Sequence, residues 1–545
     1  MTGVELSSRS RRAPLRVSSF ATVVACVSAC SSADVPAPVP EPPSALEIET
    51  GTPWNVVMDA RFGTVAFAEP RQAGPLVLTG GRGPTEAALD FLESHAAAFS
   101  LRAPREDLAP EAEGTDALGI RYASFTPKAD AQAEGSTRLT VHFDEAGRVA
   151  FVAGRYARTA SEAPAAAATT KTASRLAPAG GPSRCFHFDG SGKGVHFYAA
   201  PPLRDEGDEK HFEVAAAASG GYEMRRDATS SSPALACKDD AGALVTSTSL
   251  TVWDAEGSDA GAAVDAYFHA AKALEFYRTE LGRASYDDAN GSLTVAVHGE
   301  GGGALYAGGF IMLGRPSDDL PSPRLSYAGA FDAVAHEVQH GVTASTLRFA
   351  DGAGDGTGVD DSHSAILDEA VADIFAAFAE HWLRPGERNL TVGEDVAAPG
   401  YPATRDLAHP SRCLDVGCTE DCGHRACPDH LSKLDALADP HRSTGIASNA
   451  WSLMTVGGAN DTSGVRVDAP LGWDTSLKLW YALVVSRAVP PNARFEDVAR
   501  ATVALARHAS GGALDDSAVA CAWVGVGVID PATASRFWNV RCAGS

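Results

Sequence analysis

The 545-residue chain has no apolar run approaching the roughly 18 residues that a membrane-spanning helix needs, which excludes a helical integral membrane protein. It is also short of basic residues, with 45 Lys and Arg against 69 Asp and Glu and a net charge of −24. A surface of that sign repels nucleic acid and anionic membranes, so neither is an expected partner. No internal repeat is visible, which sets repeat architectures aside. What is present is ordinary for a globular chain: 45% hydrophobic and 21% charged residues. The 53 glycines and 32 prolines predict many turns or extended linkers. At about 150 residues per domain, the length suits three or four units.

Residues 1–16 carry Arg9, Arg11, Arg12 and Arg16 against Glu5, and the moderately apolar stretch 17–29 ends in small residues. A charged start, a short apolar stretch and a small-residue site make residues 1–30 a secretory signal peptide. Val27-Ser28-Ala29-Cys30 also resembles a bacterial lipobox. Two destinations follow: simple secretion, or an outer-membrane lipoprotein anchored through Cys30. Residues 31–44, with Pro36, Pro38, Pro40, Pro42 and Pro43, read as a tether. Of the ten cysteines, either route removes Cys26 and removes or lipidates Cys30. The remaining eight suit four disulfides in an oxidising compartment. The cluster Cys413, Cys418, Cys422 and Cys427 reads as two local disulfides, with a small zinc site including His424 as the alternative.

Residues 45–160 read as a small α+β unit. The spacing of Leu89, Phe91, Leu92 and Phe99 predicts a helix over 87–101. Leu139, Val141 and Phe143 alternate, a turn follows at Glu145-Ala146-Gly147, and Val149 and Phe151 resume the pattern, which predicts a hairpin. Residues 161–184, rich in Ala, Pro, Thr and Ser, form a linker open to proteolytic nicking. Strand-like runs and a long helix over 262–281 mark a β-rich part at 185–348, and helical patterns dominate 349–545.

The densest chemistry lies in His336-Glu337-Val338-Gln339-His340. On a helix, histidines four apart project from one face, so both imidazoles reach one ion, with Glu337 beside them to reach a water on it. Zinc suits this set, because it takes nitrogen and oxygen ligands and leaves a position open. A second helical run, 364–380, puts Glu369 and Asp373 one turn apart. Glu369 can supply the third ligand. Asp373 can hold the distal nitrogen of a ligating histidine and fix its tautomer. A different HExxH hydrolase, with its third ligand elsewhere, is the alternative.

The run HEVQHGVT, followed by AILDEAVADIF at 365–375, resembles the thermolysin family of zinc metalloendopeptidases. Further motifs fall in the same order: 263–293, Arg405-Asp406-Leu407-Ala408-His409-Pro410, Pro428-Asp429-His430, His441-Arg442-Ser443-Thr444-Gly445-Ile446, and the closing Ala522–Val528. Residues 45–160 resemble the family's inhibitory prosegment. The resemblance implies an α+β, two-lobed metallopeptidase: a β-rich N-terminal lobe at 185–348, a helical C-terminal lobe at 349–545 and a zinc cleft between them. It further implies one catalytic Zn2+ on His336, His340 and Glu369, Glu337 as general base, and His441 as donor to the oxyanion. Arg405 matches the arginine that binds a substrate carbonyl. A monomeric zymogen is expected, inhibited by its own prosegment and acting on polypeptides.

The chain departs from the family at several points. Gly303-Ala304-Leu305-Tyr306 stands where an Asn-Ala-aromatic strand grips substrate, so Ala304 keeps its place and the Asn is missing. Phe349 falls near the position of a tyrosine that assists the oxyanion. The connection from His340 to Glu369 is longer than usual, with an acidic, Gly-rich stretch at 351–361. The carboxylate orienting His441 is replaced by Ala436, with Asp439 or Asp435 as substitutes. Asp332, Glu380 and Glu394 align with the family's calcium site, where Asn389 and Thr391 remove charge, so one Ca2+ is expected. The competing reading is a non-catalytic surface lipoprotein that keeps the fold for binding.

Overall fold

The computed structural model describes residues 44–128, 137–156, 187–193, 209–253, 260–299, 303–314, 326–349, 360–387, 389–397, 403–412, 427–434, 440–512 and 514–545. The expected export segment with Cys26 and Cys30, the expected tether up to residue 43 and the expected linker 161–184 lie outside them. So do Cys185, Cys413, Cys418, Cys422, His424, Asp435, Ala436, Asp439 and residues 351–359.

The first region contains α1 (Ala45–Thr50), β1 (Trp54–Met58), β2 (Val65–Pro70), α2 (Pro84–Ser94) and α3 (Pro104–Asp107). It continues with β3 (Leu108–Thr115), β4 (Arg121–Pro127), β5 (Arg138–Phe143) and β6 (Val149–Arg155). The six strands form one antiparallel sheet in the order β1-β2-β6-β5-β4-β3. The expected hairpin is β5–β6. Its turn is closed by Asp144, whose Oδ1 accepts from the Arg148 N–H at 2.8 Å. Gly147 sits at φ +84°, where a Cβ would lie 2.3 Å from the Leu78 carbonyl oxygen, so glycine is required.

The expected helix over 87–101 is shifted. It begins at Pro84, whose fixed φ suits a first helical position, and ends at Ser94. Phe99 is still fully buried, but from a turn that Ser100 closes at φ +56°. Apolar spacing recorded the burial and could not see the turn.

Leu89, Phe91, Leu92, Val141 and Phe143 pack into a core of the sheet's own. The other face also finds cover. Phe67, Ile120 and Phe151 belong to the large core that runs through the helical lobe.

The β-rich part has two sheets. β7 (His187–Lys193), β8 (Glu209–Ala216), β9 (Tyr222–Glu223) and β12 (Thr246–Ser247) form an antiparallel set. β10 (Arg225–Arg226), β11 (Leu235–Lys238), β13 (Leu293–Gly299), β14 (Ala304–Tyr306) and β15 (Phe310–Gly314) make a five-stranded sheet in the order β10-β11-β13-β15-β14. β14 is therefore an edge strand, paired antiparallel with β15. The long helix α4 (Ala260–Leu281) matches the expected element and packs against α5 (Phe331–Ser345), where Tyr277 Oη donates to Gln339 Oε1 at 2.5 Å.

The helical lobe contains α6 (Asp360–Leu383), α7 (Pro440–Ser443), α8 (Gly445–Val456), α9 (Trp473–Val485), α10 (Phe495–Arg507), α11 (Asp516–Gly525) and α12 (Pro531–Trp538). Trp451, Trp480 and Trp523 are fully buried within it. Among the described residues no helix is long and apolar enough to cross a membrane.

One expectation needs correction. Cys521 and Cys542 are bonded, with Cα atoms 5.3 Å apart, tying α11 to the C-terminal tail. Cys237, however, is an unpaired buried thiol on β11, its Sγ 3.7 Å from the Ala263 carbonyl. Even cysteine parity therefore does not translate into four disulfides. Strand β11 places this side chain inside the sheet–helix core, where it packs as a small apolar group and burial pushes its thiol well above the ordinary range.

Candidate metal and active site

Helix α5 is buried along almost its whole length and lies against α6. Burial on all sides forces its polar residues to face each other or a partner helix. His336 and His340 rise from one face one turn apart, with Nε2 atoms 3.0 Å from each other. Glu369 on α6 faces both. Its Oε2 is 3.1 Å from His336 Nε2 and its Oε1 is 3.7 Å from His340 Nε2. A tetrahedral ion with ligands at about 2.0–2.1 Å requires ligand atoms about 3.3 Å apart. The observed edges of 3.0, 3.1 and 3.7 Å bracket that spacing. Donor chemistry and spacing both fit zinc.

Each histidine is held from behind. His336 Nδ1 is 2.9 Å from Asp373 Oδ1, as the helix spacing predicts. His340 Nδ1 is 3.1 Å from Asp368 Oδ2, and Asp368 Oδ1 accepts from Thr343 Oγ1 at 2.6 Å. Sequence reasoning missed Asp368. The available signal was that a second ligating histidine also needs an outer partner, and the neighbours of Glu369 on α6 are within reach.

Arg405 forks onto Asp373, with Nε donating to Oδ2 at 2.7 Å and Nη2 to Oδ1 at 2.6 Å. Burial opposes ionisation of Asp373, yet Arg405 and His336 hold its carboxyl below the ordinary range. Burial likewise opposes charge on Glu369, and its hydrogen bonds to the two histidines pull it far down. The histidines move the other way. Against the effect of burial, Asp373 and Glu369 hold His336 up to about 9, and Asp368 and Glu369 raise His340 well above its usual value. The pocket is thus built to hold positive charge.

Glu337 follows His336 on α5 and is 5% exposed. Burial pushes its carboxyl up, with Glu369 adding to the rise and His336, His340 and His441 opposing it. His441, on α7, brings Nε2 to 3.2 Å from Glu369 Oε2 and remains half exposed, as a group that meets a ligand must. Asp429 accepts from Lys433 Nζ at 2.8 Å and from Thr462 Oγ1 at 2.6 Å. Ala304 lies on the edge strand β14 beside exposed Leu305. A Cβ at Gly303 would meet nothing within 4 Å, so there is room for the missing side chain. Phe349 packs against the large core.

The second cluster joins the first turn of α5 and the last turn of α6 to a short turn at Glu394–Val396. Asp332, Glu380 and Glu394 bring carboxylate oxygens within 4.8 Å of one another. Burial pushes all three up, and repulsion adds to it: Glu394 and Asp395 act on Asp332, Asp332 and Glu394 on Glu380, and Asp395 on Glu394. Asn389 Nδ2 donates to Glu380 Oε2 at 2.8 Å, and Thr391 Oγ1 to Glu394 Oε2 at 2.9 Å. Arg384 lies 3.1 Å from Glu380 Oε1. Clustered hard oxygens suit calcium.

Two histidines one turn apart, a carboxylate from the adjacent helix and a buried glutamate beside the open side define a metallohydrolase type of site in a two-lobed α+β protein. Comparison with known families assigns it further. Residues 203–344 match the catalytic domain of the thermolysin metallopeptidases, and residues 361–528 match their alpha-helical domain. The chain belongs to the thermolysin metallopeptidase family.

Among its relatives are thermostable neutral protease NprT of Geobacillus stearothermophilus, 29% identical over 42% of this chain and 38% of that one. Bacillolysin of Brevibacillus brevis is 30% identical over 45% and 41%. Neutral protease NprE of Bacillus pumilus is 26% identical over 53% and 83%. The chain thus spans about two fifths of the length of the first two. The precursor of protealysin, a metalloproteinase from Serratia proteamaculans, superposes with a TM-score of 0.44 at 20% identity, over 55% of this chain and 89% of that one.

Proposed function

We propose that this chain is an exported zinc metalloendopeptidase made as a zymogen, with residues 45–160 as its prosegment. One observation carries the reading: His336, His340 and Glu369 converge at ligand spacing while Glu337 stands beside them on the same helix. Zinc bound there supplies Lewis-acid polarisation of a scissile carbonyl and lowers the pKa of a water to about 7.

The remaining steps belong to the protein. Glu337 takes the proton from the attacking water as oxygen bonds to the carbonyl carbon. It then delivers that proton to the amine nitrogen as the C–N bond breaks. Its raised carboxyl suits this exchange, because a base works best near the operating pH. His441 donates a hydrogen bond to the carbonyl oxygen as negative charge develops. Asp373 and Asp368 keep the two distal imidazole nitrogens protonated, so that each Nε2 lone pair faces the ligand position. Arg405 has two of its five N–H groups on Asp373, so a contact with a substrate carbonyl would use those that remain on Nη1 and Nη2. The edge strand β14, with Ala304, offers free backbone groups to an extended polypeptide. A calcium ion at Asp332, Glu380 and Glu394 would brace the ends of α5 and α6.

The test pairs two readouts. Glu337→Gln should retain one zinc per chain while losing about 100- to 10,000-fold of wild-type cleavage of an unfolded protein substrate. If wild-type chain, processed or not, shows no chelator-sensitive cleavage, the binding-only reading replaces this one.

A further inference from the structure

One face of β5 carries the contact between the N-terminal sheet and the helical lobe. Arg138, Thr140 and His142 alternate with Leu139, Val141 and Phe143, so they share the face opposite the sheet's own core. They are 1%, 0% and 0% exposed. Arg138 spends its guanidinium on Glu111 and on the carbonyls of Thr346, Leu347 and Val489, and Thr140 donates to the Arg487 carbonyl.

His142 is not satisfied in this way. Its Nε2 is 3.3 Å from Ser486 Oγ, whose own hydrogen goes to the Ala482 carbonyl at 2.6 Å. Ser486 Oγ must therefore accept, which places the histidine proton on Nε2. Nδ1 is left as a bare acceptor, buried and without a partner. The ring stacks on Phe151 with centroids 4.0 Å apart. Tyr122 faces it from β4. From the helical lobe come the backbone of Arg487 and, beyond Phe151, His508. The carboxylate on that side, Glu69, is already engaged by Arg507, His508 and Trp538. Among the described residues no acceptor waits for a proton on Nδ1.

We propose that this contact is a proton-operated latch, in which charging His142 in acid parts the N-terminal sheet from the helical lobe. Its biological meaning, acid-assisted release of a prosegment, rests on the function proposed above. Burial, with His508 adding to it, holds His142 down at about 3 against an ordinary 6.5. The parted state thus binds the proton and the docked state does not. The contribution of His142 to docking is fully present above pH 6.5 and is lost as pH falls towards 3. Asp116, in the turn beside Ser510, works in the opposite sense. Burial pushes its carboxyl up to about 6, so docking gains there as pH falls, and the wild-type profile alone is blunted.

The test compares variants in the full chain, with Glu337→Gln throughout to suppress self-cleavage. Hydrogen exchange reads the opening of residues 138–143 and 486–492 at pH 7 and pH 5, corrected for intrinsic rates. His142→Gln, whose amide nitrogen reaches the Nε2 position, keeps a donor for Ser486 and cannot charge; His142→Phe fills the ring space without one. Relative to either, opening of the His142 chain should grow about 25-fold from pH 7 to pH 5. Profiles that run parallel in both comparisons would overturn the latch. The readout involves no cleavage, so it stands apart from the test of peptidase activity.

Discussion

The two carboxylate clusters on α5 and α6 are built from similar residues and behave in opposite ways. At Glu369 and Asp373 every carboxylate has a basic partner, and their carboxyls are held down. At Asp332, Glu380 and Glu394 the acids mainly face each other, and their carboxyls are pushed up. Arg384 beside Glu380 offsets only part of that repulsion. The first cluster can carry its own counter-charge as protons on His336 and His340, so it persists in the absence of a cation and stays available for chemistry. The second has no such reserve and gains stability from any cation that enters. The same pair of helices thus contributes to a site suited to exchange and, one turn or more along, to a site suited to permanent occupancy.

The comparison is broken most severely by removing a group that acts only at the first cluster. His441→Ala should lower kcat about 100- to 1,000-fold, as loss of one oxyanion donor does, with zinc content and melting temperature unchanged. A fall in zinc content instead would make His441 a ligand rather than a donor. A smaller change is expected behind the ligands. Asp368→Ala removes the anchor of His340 Nδ1 and should weaken zinc binding 10- to 100-fold in a chelator competition. Equal affinity would mean that Thr343 and Asp368 merely pair with each other.

The weakest effect belongs to the second cluster, and it should appear in stability alone. Withdrawing calcium present at about 100 times its Kd costs about 2.7 kcal/mol. In a chain of this size that corresponds to a melting temperature lower by about 2–3 °C. Asp332→Asn should invert the sign of the effect between media, costing stability with calcium present and relieving repulsion without it. A melting temperature indifferent to calcium in both proteins would remove the distinction between the clusters.

The first cluster was legible in the sequence because its geometry is local. His336 and His340 share a face by helical period alone, as do Glu369 and Asp373, and only the docking of α5 on α6 had to be supplied. Asp368 was hidden because its role depends on how far α6 is rotated against α5, which spacing does not encode. The hairpin β5–β6 was legible for the same reason as the histidines, through its period of two. Its second face was not. Arg138, Thr140 and His142 are buried because a partner 208 to 351 residues further along the chain covers them, which no local period records. Cys237 misled in a similar way, since parity counts thiols without regard to the core that encloses them.

Glu369 offers the most direct test of the account, since it joins the two helices into one site. Zinc affinity of Glu369→Ala, measured by chelator competition beside the wild-type chain, should fall by more than the 10- to 100-fold expected for an outer partner. Undiminished affinity would contradict the assigned ligand set and with it the chemistry built on α5 and α6.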